Sequence, residues 1–192
     1  PDAEYLPSRK NIMEYLQASH HDSFISIYSE PKLLFDRGEP SASVSDILAV
    51  ISARPLHVTL KGQKTFPVNY VDNLCVHSDQ RKKGIAPQLI QTHYYNLRRQ
   101  DSKIQTCLFK REGELTAIVP LTTFETYGYD ISTLKEEVLP HASMSVIKIT
   151  VSQLRLFADF VHSRTKDFSC VILPELSNIS NIIKTGNIFI YG

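Results

Sequence analysis

The stretch Asn73-Leu74-Cys75-Val76-His77-Ser78-Asp79-Gln80-Arg81-Lys82-Lys83-Gly84-Ile85-Ala86-Pro87-Gln88-Leu89-Ile90 changes its hydrophobic period partway along. On its N-terminal side Val68, Tyr70, Leu74 and Val76 recur at period two, which predicts a half-buried strand ending at His77. From Pro87 to Arg99 the period becomes helical, with Leu89, Ile90, Tyr94 and Leu97 on one stripe. Pro87 suits the first helical position, and Arg98 and Arg99 complement the negative end of the helix dipole. Lys103 to Phe109 is again strand-like, so the unit is strand, basic turn, helix, strand. The first amides of a helix lack internal partners and carry partial positive charge. Arg81, Lys82 and Lys83 add full charges there, and the small Gly84 and Ala86 let a ligand approach the backbone. Two readings follow: a phosphate or pyrophosphate site, or a solvated basic turn before an ordinary helix.

Upstream, Ile47 to Leu60 and Thr65 to His77 read as a hairpin through Lys61-Gly62-Gln63. Asp72 interrupts the apolar face of the second run, so it sits at a bulge or serves a site. Phe35 to Ser43, with its Gly, Pro and Ser, reads as a mobile surface loop. Pro1 to Ser8 is a loose start, a helix spans Lys10 to Ala18, and the polar patch Ser19 to Ser23 breaks it. His20 and His21 are adjacent and point apart, as solvated loop residues rather than a metal pair. Downstream, Pro120 to Tyr129 reads as a short helix or a loop, and Ser145 to Thr150 as a strand. Thr150 and Gln153 form a capping box for a helix reaching Thr165, with Leu154, Phe157 and Val161 inward. Strands at Asp167 to Leu173 and Asn187 to Tyr191 close the chain around a short helix at Leu176 to Ile183. The pattern is α/β (α+β): one domain over 1–192 on a central mixed, mostly antiparallel sheet flanked by helices. Residues 1–22 are its helical lead-in, and 47–110 its hairpin plus strand-loop-helix-strand core.

Composition bounds the function. The chain has 192 residues, 42% hydrophobic and 21% charged, with a net charge of +1. That excludes a disordered protein, and a strongly basic nucleic-acid arm or an acidic solvating tail as the main theme. No apolar run approaches the ~20 residues of a membrane helix, and the first residues lack a signal-peptide pattern. Cys75, Cys107 and Cys170 are odd in number and far apart, which reads as free thiols and a cytoplasmic location.

Gln80 to Ala86 resembles the Q/R-x-x-G-x-G/A loop with which GNAT acyltransferases bind the pyrophosphate of coenzyme A. Leu74-Cys75-Val76-His77, Arg81, Lys83, Ala86-Pro87 and Leu89-Ile90 resemble, more narrowly, the N-myristoyltransferase signature N-F-L-C-V-H-x-x-L-R-x-K-R-x-A-P-x-L-I. Ile47 to Pro55 is similar to that family's G-F-I-S-x-I-P strand, and Gly186 to Tyr191 to its late G-N-L-x-Y-Y-L-Y strand. The resemblance implies a GNAT-like fold and a direct acyl transfer from acyl-CoA (myristoyl-CoA or acetyl-CoA, no metal) to an amine of a protein, peptide or small molecule. It assigns Leu74, Cys75, Val76, Arg81, Lys82, Lys83, Gly84, Ile85 and Ala86 to cofactor binding. The backbone amides of Asn73 and Leu74 would form the oxyanion hole. Tyr127 and Tyr129 are candidates to protonate the leaving thiolate, set against roles in packing or at the surface.

The departures also count. N-myristoyltransferases have two GNAT-like halves, and this chain has room for one. Asn73 replaces a Phe and Gly84 a basic residue. The family's base is its own C-terminal carboxylate, whereas Gly192 follows the late strand here, so the base is expected elsewhere. Asp72, beside the oxyanion amides, is the candidate; His77 reads as a structural loop end, and Cys75 lacks the His/Asp support of a covalent mechanism. An N-acyltransferase is the leading reading. A non-catalytic acyl-CoA-binding module or a GNAT acetyltransferase is the alternative. Eight Lys/Arg against the single acid Asp101 between Gln80 and Arg111 raise nucleic-acid binding, but the thin aromatic interleaving of Tyr94, Tyr95 and Phe109 disfavours it.

Overall fold

The computed structural model describes residues 8–17, 22–36, 39–111, 119–125, 127–133 and 143–192. Most of Pro1 to Ser8, and His20 with His21, lie outside the described residues. The chain opens with helix α1 (Arg9–Leu16) and a long hairpin, β1 (Phe24–Asp36) and β2 (Glu39–Leu60). After β3 (Phe66–Val76) come a single 3₁₀ turn (Ser78–Gln80), helix α2 (Ile85–Gln100) and β4 (Cys107–Phe109). The remainder comprises β5 (Lys148–Ile149), α3 (Leu154–Arg164), β6 (Cys170–Leu173), α4 (Leu176–Lys184) and β7 (Ile190–Tyr191). Among the described residues the central sheet runs β1-β2-β3-β4, with β6 also on β2. Only β3 and β4 pair in parallel there, as a strand-helix-strand crossover requires.

Three expectations need correction. The described residues of Phe35 to Ser43 are strand rather than loop: Phe35 pairs with Pro40, and β2 runs on from Glu39. β1 itself is a strand the sequence pattern did not signal, because Pro31, Ser29 and Glu30 break its alternation; as an edge strand it tolerates Pro31. The segments near Ile149 and Ile190 do not extend the main sheet but pair with each other in a small separate one. Pro120 to Tyr129, where described, has no regular structure, and the capping box at Thr150 is present.

Packing splits over the two faces of the sheet. Ile85 and Leu89 of α2 cover Ala49 and Ile51, with Tyr28, Val71 and Val76 around them. The other face buries Leu56, Val58 and Val68 with Phe66, Tyr70, Leu108 and Cys170. Helices α1 and α4 lie on that second side, where the buried Asn178 amide donates to the carbonyls of Glu14, Tyr15 and Gln17 at 3.0, 3.3 and 2.9 Å. It thereby satisfies helix-end carbonyls that have no partner within α1. Among the described residues no helix is long and apolar enough to cross a membrane.

Candidate functional site

The register places a bulge in β3. Ser52 pairs with Asn73 and Ala53 with Val71, so Asp72 is an extra residue on β3. A bulge reverses the alternation beyond it. Val68 and Tyr70 therefore lie on the α1–α4 side, whereas Val76, and Leu74 by the same register, lie on the α2 side. The single period-two stripe expected from Val68 to Val76 is in fact two half-stripes on opposite faces.

Polar side chains hold the bulge. The Arg54 Nε–H donates to both carboxylate oxygens of Asp72, at 3.1 and 2.9 Å. Both side chains are largely buried, at 15% and 17% exposure. The Arg54 guanidinium also lies over the rings of Tyr15 and Tyr70, 5.5 and 5.6 Å from their centroids. Burial pushes the Asp72 carboxyl above its ordinary range, and Arg54 works against that rise. Asn73 Nδ2 donates to Ser52 Oγ at 3.0 Å. Arg54 went unnoticed in the sequence; its signal was one charge inside the apolar run Ile47 to Leu56.

Beyond the bulge, one edge of β3 has no strand partner among the described residues. The amide of His77 donates to Leu48 O, so strand alternation turns the backbone groups of Leu74 and Val76 the other way, toward β4. Yet β4 pairs only with Asn69, Tyr70 and Val71. Among the described residues nothing pairs with that edge past Val71. Leu74 is 41% exposed, Cys75 is an exposed free thiol, and the Val76 carbonyl accepts from Arg81 Nε at 3.5 Å.

The open edge leads into the basic loop. His77 Nδ1 accepts from the Asp79 amide at 3.4 Å and caps the 3₁₀ turn, a structural role. Arg81, Lys82 and Lys83 are exposed, and Lys83 Nζ donates to Gln80 Oε1 at 2.8 Å. Lys82 and Gly84 both have left-handed backbone, at φ 64° and 78°. A chain reversing hand in this way turns successive amides into one concavity. Helix α2 starts at Ile85, two residues before the expected start, so Pro87 is its third residue, still within the turn that needs no donor. Ile85 points its side chain into the core and leaves its amide to the loop, and Ala86 is half-buried. Tyr127 and Tyr129 are exposed, and the Tyr127 hydroxyl donates to Glu125. An open cleft of about 550 Å³ lies away from this loop, between the β2–β3 turn and the end of α3.

A strand with a bulge and an open edge, running into an amide-rich basic turn at a helix N-terminus, defines a class of protein. Residues 35–129 match the family model of the acetyltransferase (GNAT) domain, and this part of the chain is a domain of GNAT type. Its fold is shared with N-myristoyltransferase. A crystal structure of the Saccharomyces cerevisiae enzyme with bound myristoyl-CoA is 19% identical with TM-score 0.51, covering 70% of this chain and 36% of that one. A second structure of the same enzyme with myristoyl-CoA is also 19% identical with TM-score 0.51, covering 70% and 34%. This chain thus spans about a third of the length of the enzymes it matches. An aminoglycoside acetyltransferase from an uncultured soil metagenomic sample is 18% identical over 50% of this chain and 67% of that one, with a TM-score of 0.27. No curated protein matches the chain in sequence.

Proposed function

We propose that the chain is an acyl-CoA-dependent N-acyltransferase of the N-myristoyltransferase type. The carrying observation is the continuity of bulge, open β3 edge and basic left-handed loop. In this reading the amides of Lys83 to Ala86, with Arg81 and Lys82, hold the diphosphate. The pantetheine arm extends along the open edge at Leu74, Cys75 and Val76, where it finds backbone groups to bond. The thioester carbonyl then lies beside the bulge at the Leu74 amide, which faces that edge and is fixed before charge develops, while the Asn73 amide faces β2 by the same alternation. The acceptor amine attacks the carbonyl carbon, the tetrahedral intermediate expels CoA as thiolate, and the proton lost by the amine goes to a base. Asp72 is the acid nearest in sequence to these amides, but it reaches the amine only by sharing its carboxylate with Arg54. That engagement favours, as second reading, a module that binds acyl-CoA without transfer.

Calorimetry tests the reading. Each buried methylene contributes about 0.8 kcal/mol, so a site for a long chain binds myristoyl-CoA far more tightly than acetyl-CoA. Equal affinities would shift the assignment to an acetyltransferase-like pocket, and no affinity for either would overturn it. Native mass spectrometry of purified protein reads the acyl chain directly from copurified ligand.

A further inference from the structure

The signatures quoted above carry Ile at the position of Arg54 (I-S-x-I-P) and Asn at the position of Asp72 (N-F-L). Here both are charged, and the two charges meet. From this we infer that the Arg54–Asp72 pair, gripped between Tyr15 and Tyr70, is a positioning device: it fixes the β3 bulge and fastens α1 to the acyl site. The inference rests on the acyl-CoA reading for its functional consequence, but the clamp stands on geometry alone.

A bulge can migrate. Moving it by one residue toward the C-terminus would return Asp72 to the ladder opposite Ser52 and make Asn73 the unpaired extra residue. Arg54 opposes that shift because it grips β3 at two points, over the Tyr70 ring and at the Asp72 carboxylate. Its planar group serves both contacts at once, which a lysine ammonium cannot do. The third contact, with Tyr15, reaches a helix 39 residues before Arg54 in the chain. One side chain thus contacts both α1 and the strand that carries the Asn73 and Leu74 amides. Asp72 acts here through the backbone, not on the proton of the amine.

The test compares Asp72→Asn, Arg54→Ile, the double variant and Arg54→Lys by amide hydrogen exchange, binding of CoA and of myristoyl-CoA, and turnover. Removing one partner strands a buried charge, whereas replacing both is close to neutral. Each single neutralisation is therefore expected to speed exchange at residues 71–76 and 9–16 and to reduce myristoyl-CoA affinity roughly tenfold, with CoA affinity changed less. The double variant is expected to recover protection, affinity and turnover to within about threefold of wild type. Arg54→Lys keeps the charge, so the protein stays folded, and it is expected to fall between the two. Unchanged exchange at 71–76 in Arg54→Ile and Arg54→Lys overturns the clamp whatever the ligand data say. A double variant that regains protection but not turnover also overturns it and makes Asp72 the base. Wild type that binds neither CoA nor myristoyl-CoA defeats the acyl-CoA reading instead, while the exchange data still decide on the clamp.

Discussion

Two turns at opposite ends of β3 look alike in sequence. Lys61-Gly62-Gln63-Lys64 before the strand and Arg81-Lys82-Lys83-Gly84 after it are both basic, and Gly62 and Gly84 have nearly the same φ, 77° and 78°. Their amides differ. In the hairpin, the amide of Lys61 donates to Ser169 O and that of Gln63 to Leu60 O. In the second turn, the Gly84 carbonyl accepts from Gln88 and the chain becomes a helix whose first donors lack internal partners. Basic charge around a glycine does not by itself make an anion site. Unspent backbone donors do.

The largest expected effect is on binding. Arg81→Glu with Lys83→Glu removes two charge-assisted contacts and adds two repulsions, so CoA affinity is expected to fall on the order of a thousandfold by calorimetry. Lys61→Glu with Lys64→Glu, at the other turn, is expected to leave it within about twofold. Equal losses at both turns would mean that net charge, not the loop, attracts the ligand.

The second effect concerns the helix behind the loop. His93 on α2 is buried at 1% exposure, with Nδ1 2.9 Å from Ser26 Oγ and its ring against Phe24 at 5.2 Å. Its Nε2 has no hydrogen-bond partner among the described residues, and burial pushes its pKa down to about 4. The folded protein therefore binds fewer protons here than the unfolded chain. Stability is complete above pH about 6.5 and declines as pH falls toward 4, by up to about 3 kcal/mol. Chemical denaturation across that window checks it, and His93→Gln is expected to flatten the slope. A slope unchanged in His93→Gln would show that other groups cause it.

The smallest effect separates strain from ligand contact. A Cβ at Gly62 or Gly84 meets nothing within 4 Å, so alanine at either position costs only its left-handed backbone, about 1 kcal/mol. Thermal unfolding is expected to shift alike for both, but only Gly84→Ala is expected to weaken CoA binding. Loss of affinity in Gly62→Ala would erase the distinction between the turns.

The strand-turn-helix core was legible because each element carries its own period and the turn its own charges. Helix α2 was placed to within two residues at its start, and the displaced start at Ile85 follows from Gly84, whose conformation no periodicity reports. The bulge was only half legible. Asp72 marked it, but Leu74 and Val76 kept to the period of Val68 and Tyr70, and only pairing with β2 shows the reversal. The β1 strand and the first part of β2 were hidden because Pro40 and three serines between 39 and 45 are turn formers that tertiary pairing overrode. The Arg54–Asp72 pair joins positions 18 residues apart across two strands, a relation that spacing along one strand cannot express.

One feature of the sheet also governs the order in which the protein assembles. Strand β2 is 22 residues long and serves β1, β3 and β6. The first two are its neighbours along the chain, so their pairing closes short loops at small entropic cost. The last, β6, joins His57 to Leu60 from more than a hundred residues downstream. The meander with its basic loop is thus the part expected to nucleate, with β6 annealing onto it afterwards. Until it does, the far end of β2 stays an open strand, the segment of this chain most exposed to pairing with the wrong partner during synthesis.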